Sequence, residues 1–172
     1  MITIVQAEDA MGNESLAEVV QTDIAGYFEH LAARIERLVG SLSHEQLWSN
    51  PFGFGNSVGR IVVHLTGSLS HFIGAGVAGT GYVRDRAGEF SDPSRPAAED
   101  LLARFREAIG LVVRTLHSQG EAGLTTPVTG CGEPVRDRFG LFLVCAAHIS
   151  NHVGQIVYLV QAHGHQLDEK TW

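Results

Sequence analysis

The chain has 172 residues, 12 Lys+Arg against 19 Asp+Glu, and a formal charge of −7 with histidine neutral. That length makes one domain the default, and 44% hydrophobic against 18% charged residues supplies a sizeable core and excludes an intrinsically disordered segment. The acidic balance excludes a sequence-independent grip on nucleic acid, which depends on Lys and Arg neutralising phosphates, and a single lysine, Lys170, excludes polybasic membrane anchoring.

Residues Met1 to Ser15 contain no basic stretch followed by an apolar one, so they do not read as a secretory signal. The first strong period begins at Ser15, a helix cap with Glu18 three residues on completing a capping box. Leu16, Val20, Ile24, Tyr27, Phe28, Leu31, Ile35, Leu38, Val39 and Leu42 follow at steps of three and four, one apolar stripe on a long helix. Ser43 and Gln46 repeat the capping signature ahead of a short turn that carries Leu47 and Trp48, before the breaker Asn50-Pro51 and a Gly-rich loop.

A second long helix is expected from Ser57 to about Ala78, with Val58, Ile61, Val62, Leu65, Leu69, Phe72 and Ile73 inward. Its glycines, Gly59, Gly67, Gly74 and Gly76, each lower helix propensity by about 1 kcal/mol relative to Ala and leave its end open. Residues 79–96 have no period and read as a long connection, the kind that often carries function; within it, Arg84-Asp85-Arg86 reads as a solvated cluster rather than an anion site. A third helix covers about Ala97 to His117, with Leu101, Leu102, Phe105, Ile109, Val112, Val113 and Leu116 inward and Gly120 as its stop. The last helix starts near Asp137, runs through Leu141, Val144, Cys145, Ile149, Ile156, Leu159 and Val160, and ends at Gly164.

Nothing in the chain reads as a strand, so four amphipathic helices make an α-helical bundle, an all-α fold in one domain. That domain spans residues 1–172, with about 14 N-terminal and about 8 C-terminal residues peripheral to it. The longest unbroken apolar run, Leu141 to Ala147, falls short of the ~20 residues needed to span a bilayer. Cys131 and Cys145 form no disulfide framework, and a soluble protein in a reducing, cytoplasmic home is expected. Cys131, in a Gly-rich loop with no assignable base, reads as a surface thiol rather than a nucleophile.

Nine histidines are about twice an ordinary share. His148 and His152 lie four apart, so on a helix two imidazoles can converge on one ion, although position 149 is Ile and the zincin glutamate is missing. Nine histidines would give roughly 0.5 such pairs by chance, so location matters more than spacing. Leu141, Cys145 and Leu159 share that face, which turns both rings inward, where an unpartnered polar group costs about 1–3 kcal/mol. The competing reading is two core histidines hydrogen-bonded to neighbours. A third ligand could come from His64 or His71 on the second long helix, and periodicity does not choose between them. His30, His44, His117, His163 and His165 read as structural or solvated.

Three segments, Val62-Val63-His64-Leu65, Arg84 to Phe90, and His148-Ile149-Ser150-Asn151-His152-Val153-Gly154-Gln155-Ile156-Val157-Tyr158-Leu159, together resemble the DinB/YfiT-like superfamily of bacterial metal-dependent enzymes. The likeness covers roughly residues 15–164. It implies an up-down-down-up four-helix bundle, often a homodimer, holding a divalent ion, Zn or Ni, on His64, His148 and His152. This sets His71 aside. Three imidazoles leave positions open for water or substrate, as in a catalytic site, and Gln155 is implied as support for a bound water or ligand. Relatives with known activity include S-transferases and isomerases that use a low-molecular-weight thiol such as mycothiol or bacillithiol. The resemblance thus implies a thiol S-transferase acting on a small-molecule substrate. Metal-assisted hydrolysis and a non-enzymatic metal-binding or stress-response dimer are its alternatives.

Overall fold

The computed structural model describes residues 14–130 and 134–167; the N-terminal stretch and Cys131 lie outside the described residues. The described chain is helical: α1 Leu16–Gly40, α2 His44–Trp48, α3 Val58–Leu69 continuing into a π-helical turn Ser70–Ala75, α4 Gly88–Ser91, α5 Ala98–His117, α6 Glu121–Leu124 and α7 Arg138–Ala162. Among the described residues the only β feature is an isolated antiparallel bridge between Pro127 and Asp137.

Both capping boxes form. The Ser15 hydroxyl accepts from the Glu18 amide while the Glu18 carboxylate accepts from the Ser15 amide at 2.7 Å, and Ser43 and Gln46 do the same for α2. Ser57 caps α3, and the Asp137 carboxylate caps α7 by accepting from the Gly140 amide at 2.8 Å. Gly164 ends the last helix in the left-handed region, at φ +89, the conformation a glycine adopts without Cβ strain. Gly120 behaves otherwise: α5 stops at Ser118, and Gly120 starts α6 at φ −56.

One core joins the four long helices. Phe28, Leu31 and Ile35 of α1, Leu65 of α3, Phe105 and Leu116 of α5, and Phe142, Ile149 and Ile156 of α7 are almost wholly buried in it. Tyr27 bonds Ser150 and Gln46 bonds the His163 carbonyl, so α1 and α7 run in the same sense. The Trp48 indole donates to the Pro96 carbonyl ahead of α5 and lies on Gly59 at the start of α3, while Gly74 meets Leu111, so α3 and α5 also run together. The stripe read on α1 holds from Phe28 onward, but Leu16 and Tyr27 are exposed.

By length and composition α7 could cross a membrane, with a mean hydropathy of 1.3 over its most apolar 18 residues. Gly, Ser and His interrupt its apolar runs without lowering the average much, so no single unbroken stretch of that length stands out in the sequence. In the fold this helix packs its Leu141, Ile149, Val153 and Ile156 side into the core, the role that an apolar helix commonly has inside a bundle.

The connection over residues 79–96 is not a featureless loop. It carries the turn α4, with Glu89 buried, and it packs against α3.

Candidate metal centre

His64 sits in the middle of α3, and its ring points between the helices, 7% exposed. His148 and His152 reach the same point from α7, one turn apart and half-buried. His64 Nε2 lies 3.2 Å from His148 Nε2, which lies 3.0 Å from His152 Nε2. One ligand atom from each of the three falls within 4.8 Å of the others, a cluster able to hold a divalent ion. His71, the other candidate of the second long helix, is exposed in the π-helical turn with its ring against Phe72. The remaining described histidines do not join the cluster; His165, for one, bonds Gln46.

Every ring of the cluster turns its other nitrogen to an oxygen. Glu89 Oε2 lies 2.8 Å from His64 Nδ1, Gln155 Oε1 2.8 Å from His152 Nδ1, and Ser68 Oγ 3.5 Å from His148 Nδ1. Gln155 therefore meets a histidine ring directly. Burial, reinforced by the neighbouring His152 and His64, pushes His148 down to about 4. His152 is lowered too: burial is the largest cause, opposed by the Gln155 hydrogen bond and helped by His64. Both rings are thus neutral at physiological pH, the form in which imidazole ligates metals.

Arg84 departs from the reading of its segment as a solvated cluster, while Asp85 and Arg86 are exposed as that reading expects. Arg84 turns inward and clasps Glu89 with two bonds, Nε to Oε1 at 2.6 Å and Nη2 to Oε2 at 3.0 Å, while its guanidinium lies over Phe72. Burial alone would push Glu89 up and is the largest single influence on it, but Arg84 and then His64 outweigh it and hold the carboxyl below its ordinary range. Spacing within the loop gave no hint of this pairing, since it depends on where α4 is packed; the one local sign was two opposite charges five residues apart in an aperiodic segment.

Beside the cluster lies a cavity of 630 Å³, within the range that binds small molecules. Phe72, Leu141 and Val144 make its apolar wall, and His64, His148, Ser68, Asn151, Arg84 and Arg86 its polar side.

An all-α protein with three histidines converging beside a small-molecule cavity is the class that fold and site define. The family model described as the DinB superfamily matches residues 27–156, from α1 through both histidines of α7, and the chain belongs to that superfamily. No curated protein matches it.

Proposed function

We propose that the protein is a divalent-metal-dependent thiol S-transferase, in which His64, His148 and His152 hold the ion and a low-molecular-weight thiol attacks a small electrophile. The observation that carries this reading is the convergence of three Nε2 atoms from rings whose Nδ1 atoms all face oxygens. A ring that gives its Nδ1 hydrogen to an oxygen keeps its lone pair on Nε2. Three acceptors then face one another without a donor between them, and a cation satisfies all three. Imidazole suits both Zn²⁺ and Ni²⁺. When bound, such an ion lowers the pKa of a thiol and stabilises its thiolate.

The chain's own residues supply the rest. Phe72, Leu141 and Val144 shed water from the cavity and accept the apolar body of the electrophile. Arg86, exposed at the same cavity and without an ion-pair partner among the described residues, offers a charge to an anionic group of either substrate. The sulfur–carbon bond forms as the leaving group departs with its electron pair, and the thiol proton passes to solvent.

Metal-assisted hydrolysis is less well supported. No carboxylate lines the cavity among the described residues, and both oxygens of Glu89 are engaged by Arg84 and His64, so an attacking water has no base. A purely metal-storing role leaves the adjoining cavity without a purpose.

The reading places the enzyme in the cytoplasm as a homodimer, with neither nucleic acid nor membrane as partner. Exposed Tyr27, Leu143 and Tyr158 on α1 and α7 are apolar surface that a dimer would cover, and sedimentation velocity measures its mass. For the activity, tag-free protein is analysed for metal and assayed for thiol consumption with chlorodinitrobenzene. About one ion per chain and metal-dependent turnover are expected. Metal-replete protein without an ion overturns the whole reading, whereas a bound ion with no turnover across a panel of thiols overturns the thiol step.

A further inference from the structure

We propose that Glu89 is the positioning residue of the histidine cluster: its carboxylate fixes the tautomer and orientation of His64, with Arg84 aligning the carboxylate and Gly67 making room for it. The purpose of this device rests on the metal-centre reading, but its geometry stands apart from it.

A carboxylate oxygen only accepts, so the ring nitrogen 2.8 Å from Glu89 Oε2 is the one that carries hydrogen. Arg84 Nη2 comes within 3.3 Å of the same His64 Nδ1, but it is itself a donor bonded to Oε2, so both groups point their hydrogens at one oxygen. His64 is thereby held with its lone pair on Nε2, the atom that faces His148. Neither partner of this pair is free to turn away. Glu89 is 5% exposed and each of its oxygens is engaged, and the His64 ring lies tilted against Phe90, centroids 5.1 Å apart.

Gly67 is an independent sign of the same device. It lies on α3 three residues after His64, where a glycine weakens a helix. A Cβ there would collide with Glu89 Oε1 and stand 2.9 Å from its Cδ. The carboxylate can lie across the helix because the side chain is missing.

The other two rings are held more weakly. His148 faces a hydroxyl at 3.5 Å and His152 an amide oxygen on an exposed residue, whereas His64 alone among the three faces a charge. A carboxylate behind an imidazole raises its basicity as a ligand, so His64 becomes the strongest donor of the cluster. Because Glu89 and Arg84 come from the connection between α3 and α5, the same contacts latch that connection to the site.

The test uses Glu89→Ala, Glu89→Gln and Gly67→Ala in the full chain. Zinc affinity is measured by competition with a chromogenic chelator, and the His64 tautomer by nitrogen-15 NMR of the metal-free protein. Wild type is expected in the Nδ1–H form. Glu89→Ala and Gly67→Ala are expected to lose ~10–100-fold in affinity and to mix tautomers, while Glu89→Gln, which keeps an acceptor oxygen, stays closer to wild type. Gly67→Ala adds a helix-forming residue and removes no polar group, so it decides the matter if Glu89→Ala does not fold. Wild-type zinc affinity in the folded variants overturns the proposal. If wild type binds no ion, the metal-centre reading falls instead; an unchanged Nδ1–H tautomer in the variants then overturns the positioning role, and a mixed one upholds it.

Discussion

His148 and His152 present their Nε2 atoms to each other at 3.0 Å, and no hydrogen is needed on either, because each Nδ1 faces an oxygen of another residue. Burial, with the like charge that His152 and His64 would add, depresses His148 to about 4, so the ring stays neutral at physiological pH.

Acid should therefore unfold the metal-free protein by a definite route. In the unfolded chain His148 titrates near the ordinary histidine value of 6.5, in the folded chain at about 4, so the unfolded state alone takes up the proton between those values. Stability is unaffected above pH 6.5 and declines as pH falls from 6.5 towards 4. Glu89, lowered by Arg84 and His64 against its burial, adds a further loss as pH falls below 4.5. Thermal melts across this range should show a falling Tm, with the decline moved to lower pH by saturating zinc; a flat Tm from pH 7 to 4.5 would contradict the buried neutral rings.

Metal should stabilise the fold. At a free concentration a hundredfold above Kd, a single site contributes about 2.7 kcal/mol, a Tm rise of roughly 5–10 °C for a domain of this size. His148→Ala and His152→Ala should abolish the rise, and His71→Ala, altering an exposed ring outside the cluster, should leave it intact. A rise that survives in His148→Ala would place the ion elsewhere.

Filling the cavity should separate substrate binding from metal binding. Val144 lines the wall without touching the cluster's hydrogen bonds, so Val144→Trp is expected to retain the ion and to lose at least about tenfold in kcat/KM, some 1.4 kcal/mol of transition-state stabilisation. Unchanged kinetics would mean that the substrate does not use this cavity.

Gly59→Ala tests the packing of α3 against α2. Any Cβ at that position would meet the Trp48 ring at 2.7–2.9 Å. Alanine's gain in helix propensity, about 1 kcal/mol, is opposed by overpacking of about 1–3 kcal/mol, and denaturant unfolding should show a net loss. A stabilised Gly59→Ala would show that Trp48 shifts freely.

Four helix starts were legible as local events, since Ser15, Ser43, Ser57 and Asp137 cap the helices that their neighbours predict. In contrast, α5 starts behind Ala97 with no side-chain cap and was legible from its apolar period alone. Two of the converging rings were legible from one-turn spacing on α7. The π-helical turn over Ser70–Ala75, which packs against α5 and α7, was not; Gly74 and Gly76 marked only that the helix could deviate there. Arg84 and Glu89 were not legible either, because a charged pair in an aperiodic segment looks the same whether it is solvated or folded inward. Likewise α1's apolar period continues through Leu16, where the helix overhangs the core and periodicity no longer implies burial.

On α7 the cluster's two histidines alternate with Ile149, Val153 and Ile156, which are buried in the core. The helix cannot slide or rotate to improve one set without spoiling the other. The rings are thus assembled by folding itself, before any ligand arrives, so capture of an ion should need little rearrangement and be fast. The same interlock means that a mutation deep in the core at Ile149, far from any chemistry in appearance, would be felt first as a slackened grip at the cluster.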